Sequence, residues 1–293
     1  MTVPADILSL APAIAAGADT PAPEPSLRRD IGRLIDAEPL DALACLDATL
    51  TGAHVGHALK WLESIGALAV WLPEVHALVG FHQSSPVHHK DLWAHTLEVV
   101  ERTPVDPDLR WVALLHDIGK VATRAIFGHG QVSFHGHERL GAWLSQGIAA
   151  RLQMPEARRA RIAFIVEHHA RVNAYEASWT DRAVRRLIRD AGVHLDDMLR
   201  FSGADYTTKR PRRASRIRAQ LAELTQRISQ INAQASAPKV LPPRLGKTLC
   251  SDLGVKPGPH IGESISWLET EVAEGRLEAG QDATYYVEAL RER

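Results

Sequence analysis

Trp111-Val112-Ala113-Leu114-Leu115-His116-Asp117-Ile118-Gly119-Lys120 decides how this chain is read. An apolar run at helical spacing closes on a histidine beside an aspartate, and a glycine and a lysine follow. The order predicts a ligand pair held at the end of a buried helix, a glycine that lets the chain turn away, and a cation just outside the pair.

The arrangement recurs on either side of that stretch. Leu92, His95, Thr96 and Val99 stand at i, i+3, i+4 and i+7, which places His95 on a buried stripe, and Leu109, Val112, Ala113 and His116 repeat the offsets. After a turn at Gly128-His129-Gly130 and a short strand-like Gln131–Phe134 segment, a helix is expected near His137, with Leu140, Gly141 and Leu144 on its stripe. Ile162, Ile165, Val166 and His169 repeat the pattern, as do Met198, Phe201, Ser202 and Asp205. Each of these predicted helices thus carries a ligand-type side chain at the end of an apolar stripe. Burying an unpaired imidazole or carboxylate costs on the order of 1–3 kcal/mol or more, so several together require a shared partner, and a metal centre is the economical one.

Composition sets the frame. Across 293 residues, 34 Lys and Arg oppose 35 Asp and Glu, so any electrostatic message is local rather than global. Two cysteines, Cys45 and Cys250, lie far apart, which argues against a disulfide framework or a cysteine-based zinc site and fits a reducing, cytoplasmic setting. The 15 histidines supply ample imidazole. Residues 1–25 alternate Ala, Pro and small residues without a basic start, so 1–26 is read as a flexible tail rather than a secretory signal, and no segment reads as a membrane span. Short Ala/Leu-rich helices broken by Gly52, Gly56, Gly66 and Pro73 make 27–81 a helical neck, with Arg28-Arg29-Asp30 a solvated helix start. The ligand-bearing bundle occupies 82–235, Ser236–Pro243 reads as a linker, and 244–293 as a small helical tail module. The fold class is all-α.

A histidine-rich, cysteine-free set suits a divalent transition metal (Mn, Fe, Ni, Co or Zn). Two arrangements fit. One ion held by His95, His116, Asp117 and Asp205 is the simpler; alternatively Asp117 bridges two, with His137 and His169 on the second. Either activates a water as nucleophile near neutral pH. Lys120, Thr123 and Arg124, just beyond the pair, are candidate phosphate contacts. Gly119-Lys120 lacks the upstream glycine of a P-loop, so nucleotide binding of that kind is not supported.

His95, the His116-Asp117 pair and Asp205 resemble the ligand signature of HD-domain metal-dependent phosphohydrolases. Arg110–Lys120, Val132–Glu138, Trp179–Arg186, Ala204–Lys209 and Lys256–Glu263 look, more closely, like the body and tail of bacterial CCA-adding enzymes, the tRNA nucleotidyltransferases. The resemblance implies an HD-domain helical bundle. It favours His169 over His168 as a ligand, makes Glu138 a helix-start or ligand-supporting residue, and makes His89 a phosphate or ligand-supporting contact; His135 and His168 are spare ligand candidates. It also implies RNA as a partner, since body and tail hold tRNA in those enzymes. Their nucleotidyltransferase head has no counterpart in residues 1–55, which contain no Asp-x-Asp, so nucleotide addition is not expected.

The function expected is therefore hydrolysis of a phosphomonoester or 2′,3′-cyclic phosphodiester on a nucleotide or RNA end, Asp117 and Lys120 being the residues nearest the chemistry. The alternative is a headless tRNA- or RNA-binding module without catalysis of its own. The basic run from Lys209 to Arg218, which includes Arg212 and Arg213, starts four residues after Asp205 and could hold a phosphate backbone in either case.

Overall fold

The computed structural model describes residues 5–22, 31, 34, 38–82, 91–128, 131–206, 208, 210–236 and 240–292. Its elements are helical apart from one short antiparallel hairpin, β1 (Ala125–Ile126) paired with β2 (Val132–Ser133). The chain divides into two compact units, Met1–Ser229 and Gln230–Arg293.

The first unit begins with a helix. Residues 1–26 were expected to be a flexible tail, yet α1 spans Ala5–Ala16. Ile7, Ala11, Ile14 and Ala15, at i, i+4, i+7 and i+8, are all at most 1% exposed and face α2 (Pro39–Thr51) and α3 (Val55–Ser64). The small residues that suggested a tail are what allow this close approach. Gly52 serves it too: a Cβ there would fall 2.4 Å from the Ala15 side chain. The short α4 (Ala67–Trp71) and α5 (Pro73–His76) complete this region. Arg28-Arg29-Asp30 and His89 lie outside the described residues.

Local capping chemistry fixes where the next helices start. In α6 (Leu92–Arg102) the Asp91 carboxylate accepts from the Trp93 amide at 3.0 Å, and in α7 (Pro107–Leu115) that of Asp106 accepts from the Leu109 amide at 3.0 Å, with Pro107 supplying the preset first turn. The apolar face of α7 is wholly buried, Trp111 among the largest side chains with no exposure. After the short α8 (Lys120–Thr123) and the hairpin, α9 (His137–Arg151) and α10 (Glu156–Asn173) form an extensive antiparallel pair. α10 also packs on α7 and on α12 (Leu195–Ser202), while α11 (Asp181–Ala191) precedes α12. The long α13 runs from Pro211 to Ser236, and the division between the units falls within it.

The second unit has its own core. α14 (Leu245–Asp252), α15 (Pro259–Ala273) and α16 (Ala283–Arg291) bury Leu245, Leu249, Ile261, Leu268, Tyr286 and Val287 together. The Tyr286 hydroxyl donates to the Glu278 carbonyl at 2.7 Å, which satisfies the one polar atom of that side chain. Among the described residues no helix is long and apolar enough to cross a membrane.

Candidate metal centre

The first unit brings ligand-type side chains from separate helices to one buried point. His95 comes from α6, His116 and Asp117 from the end of α7, His137 from the first turn of α9, His169 from α10, and Asp205 from the turn that follows α12. His95, His116, Asp117 and His169 are 7%, 1%, 1% and 5% exposed, too little for water to satisfy them all. His116 Nε2 lies 3.3 Å from His95 Nε2 and 3.2 Å from Asp117 Oδ2. Asp205 Oδ1 closes the same corner, 3.4 Å from His95 Nε2 and 3.5 Å from His116 Nε2.

Three of the imidazoles are held in one orientation by the backbone just before them. His116, His137 and His169 each direct Nδ1 at the backbone carbonyl three residues earlier: Ala113 at 2.9 Å, Phe134 at 2.9 Å and Val166 at 2.7 Å. In the tautomer whose Nδ1–H donates to that carbonyl, Nε2 is left as a bare lone pair able to meet a cation. Glu138 sits beside this arrangement, 3.2 Å from His137 Nδ1.

The donors fall into two groups, His95-His116-Asp117 and Asp117-His137-His169, whose ligand atoms lie within 4.8 Å of one another. Asp117 belongs to both. Its Oδ2 faces the first group, while Oδ1, 3.7 Å from His137 Nε2, is buried and has no hydrogen-bond partner among the described residues. An orphaned carboxylate oxygen amid bare imidazole nitrogens is costly unless a cation satisfies it. The donor set therefore fits divalent metal: nitrogen and carboxylate oxygen, with no thiolate.

Electrostatics follow from this crowding. Burial works against ionising Asp117, but His116 and Lys120 beside it hold its carboxyl well below the usual carboxylate range. Burial likewise disfavours a charged His116, yet the Asp117 and Asp205 carboxylates leave its pKa raised. His169 is pushed down to about 4, first by burial and then by His116, and His137 is lowered mainly by burial. Burial works against ionising Asp205, but the His95 contact together with His116 and His169 leaves its pKa lowered.

The remaining residues singled out from sequence take varied places. Lys120 Nζ donates to Asp117 Oδ2 at 2.7 Å and lies 5.8 Å from the Phe134 ring centre, so its charge is engaged by the ligand pair. The Thr123 hydroxyl donates to the Gly119 carbonyl at 2.9 Å, which spends it on the backbone. Arg124 is exposed, its guanidinium 5.4 Å from the Phe81 ring centre. Arg212 and Arg213 are exposed on α13, and His135 is exposed beside β2. His168 points elsewhere than His169: its Nδ1 lies 2.9 Å from the Phe164 carbonyl and its ring stacks on Phe164 at 4.4 Å.

Two features escaped the sequence reading. Gly119 was expected to serve a helix-ending turn, but its φ of −66° needs no glycine. The reason for it is space: a Cβ would fall 2.1 Å from the His137 carbonyl oxygen and 2.8 Å from the Gly141 amide, so only glycine lets the His116-Asp117 turn lie against α9. Asn173 was also missed. Its Nδ2 donates to Asp205 Oδ2 at 2.9 Å, and its Oδ1 accepts from the Tyr206 hydroxyl at 3.0 Å and from the Ser202 hydroxyl. It stands four residues after His169, a helical offset that could have shown it.

Comparison with known proteins agrees with this geometry. Residues 92–222 match the family model of the HD domain. The chain is 32% identical to the A-adding tRNA nucleotidyltransferase of Deinococcus radiodurans over 256 residues, 84% of this chain and 57% of that protein. It is 29% identical to the CC-adding tRNA nucleotidyltransferase of Thermus thermophilus over 244 residues, 81% of this chain and 54% of the relative. The Multifunctional CCA protein of Azoarcus sp. is 34% identical over 125 residues, 41% of this chain and 29% of that protein. The chain spans about half the length of the first two relatives. Residues 92–222, the stretch whose helices bring these histidines and aspartates together, thus match the HD domain, in a body similar to that of tRNA nucleotidyltransferases.

Proposed function

We propose that this protein is a metal-dependent phosphohydrolase acting on a phosphomonoester or a 2′,3′-cyclic phosphodiester at the end of a nucleotide or RNA. The observation that carries the reading is Asp117, buried at the shared corner of two donor groups with Oδ1 unpartnered. His95, His116, Asp117 and Asp205 would hold one divalent ion, and Asp117, His137 and His169 a second. Such ions supply Lewis-acid polarisation of a phosphoryl oxygen and acidify a water in contact with them.

The chain's own residues do the remaining work. Nδ1 hydrogen bonds to backbone carbonyls keep the His116, His137 and His169 rings from rotating, so the donor set is preorganised. His169, pushed down to about 4, stays neutral at physiological pH and retains its lone pair. Lys120 balances the Asp117 charge and, as an ammonium with three donors, has others left for a substrate phosphate. Arg124, exposed four residues after Lys120, offers a planar guanidinium to further phosphate oxygens. Thr123 is less suited to substrate, because its hydroxyl is already donated.

The test is a panel of phosphomonoesters and 2′,3′-cyclic nucleotides with manganese, nickel or cobalt added to purified protein. Turnover with wild type that disappears in Asp117→Ala supports the reading; no turnover with any of the three metals, or identical behaviour of the variant, sinks it. A second reading, RNA binding without catalysis, rests on the exposed arginines of α13 and on the tRNA-acting relatives. It expects tRNA binding that weakens as salt rises and as Arg212, Arg213 and Arg216 are neutralised, with no hydrolysis.

A further inference from the structure

A layer of partly buried charged side chains lies apart from the donor groups, on the same helices. Asp108, on α7, has both carboxylate oxygens occupied: Oδ1 accepts from Arg158 Nε at 2.6 Å and Oδ2 from an Arg161 terminal nitrogen at 2.9 Å, both arginines coming from α10. Arg161 continues the chain, its Nε donating to Asp197 Oδ2 of α12 at 2.8 Å. Arg158 is bidentate on Asp47 of α2, at 2.8 and 3.0 Å, and Asp47 Oδ1 also accepts from Trp111 Nε1 at 2.6 Å.

The spacing gives this layer a meaning. Asp108 precedes His116 by eight residues, Arg161 precedes His169 by eight, and Asp197 precedes Asp205 by eight. At about 1.5 Å of rise per residue, eight helical residues are about 12 Å, so each of three helices carries one member of the charged layer and, eight residues on, within the helix or just past its end, leads to one donor of the metal centre. Helical hydrogen bonding is maintained up to the donors beyond the helix ends: the His116 amide donates to the Val112 carbonyl at 2.8 Å and the Asp205 amide to the Phe201 carbonyl at 3.2 Å. A shift at one layer is therefore transmitted to the other.

Apolar contacts between α7, α10 and α12 resist separation, but they are non-directional and tolerate sliding. A guanidinium fork between two carboxylates is directional, and it fixes where each helix stands along its axis. We propose that Asp108, Arg161 and Asp197 are positioning residues that set the axial register of the three donor-bearing helices. Arg161 is central, because one planar group reaches carboxylates on both neighbouring helices. The inference rests on the reading of the donor groups as a metal centre.

The experiment is equilibrium titration of the full chain with Mn2+, free ion being counted by its EPR signal, alongside thermal unfolding of each metal-free protein. Asp108→Asn and Arg161→Met are expected to weaken Mn2+ binding about tenfold or more, the lower end of what support-residue changes cause. Arg161→Lys keeps the charge but not the fork and is expected to resemble Arg161→Met. Leu59→Ala, a cavity at a fully buried position of α3 that makes none of the layer's hydrogen bonds, is expected to lower the unfolding temperature at least as much while leaving Mn2+ affinity at the wild-type value. Wild-type affinity in Asp108→Asn and Arg161→Met, or losses in all four variants that follow the fall in unfolding temperature, overturns the positioning role alone. Absence of Mn2+ binding by wild type overturns the metal centre and this inference with it.

Discussion

Replacing Asn173 by Leu removes a side chain that touches no metal donor group except Asp205, yet it should impair the centre. Asn173 Nδ2 gives the Asp205 carboxylate its hydrogen bond at 2.9 Å, while Oδ1 accepts from the Tyr206 and Ser202 hydroxyls. Ser202 is fully buried, and Asp205 Oδ1 faces Nε2 of His95 and of His116 at the donor corner. A hydrogen bond to a charged group contributes about 1.5–3 kcal/mol and a neutral one about 1 kcal/mol, so leucine of similar volume should cost about 4 kcal/mol in the metal-free protein. With Asp205 free to rotate, metal affinity should fall about 10- to 100-fold, the range seen when a ligand loses its outer support. Urea denaturation of the metal-free protein and Mn2+ titration measure the two effects separately. A loss of stability below about 1 kcal/mol together with unchanged affinity would refute the reasoning.

Three further outcomes are expected. Gly119→Ala forces a methyl into the His137 backbone, so it should destabilise by about 1–3 kcal/mol or more and weaken metal binding; a chemical-denaturation midpoint equal to wild type would contradict this. Ile14→Ala, in the buried face of α1, should cost about 2–5 kcal/mol, as a core truncation does, whereas a side chain in a loose tail would cost nothing measurable. For His169 the folded pKa, about 4, lies below the ordinary value of 6.5 because of burial, so the unfolded chain takes up this proton first on acidification. Its contribution to metal-free stability is thus complete above about pH 6.5 and lost as pH falls toward 4. His116, which is raised, has the opposite sign, so the comparison is with His169→Gln, whose stability should decline less steeply than wild type between pH 7 and 4.5 in urea titrations.

How much of this was legible in the sequence follows from the reach of periodicity. A stripe at i, i+3, i+4 and i+7 reports which face of a helix is buried, and that was enough to place His95, His116 and His169 inside, the preference for His169 over His168 coming from the family resemblance in agreement with the stripe. It carries no information about which helices meet, so the Arg158–Asp47 and Arg161–Asp197 pairs, 111 and 36 residues apart in sequence, could not be read. Gly119 was legible as a glycine but not in its purpose, since the atoms that exclude a side chain belong to His137 and Gly141 of another helix. α1 is hidden for a different reason: its Ala- and Pro-rich composition resembles that of a tail, and only the Ile7-Ala11-Ile14 offsets within it carry the buried face.

The most direct measurement is the number of Mn2+ ions bound per chain at equilibrium by wild type and by Asp117→Ala. A carboxylate shared between His95-His116 and His137-His169 predicts two ions for wild type and the loss of tight binding at both positions in the variant. No binding by wild type, or a variant that retains the wild-type number and affinity, would contradict the account.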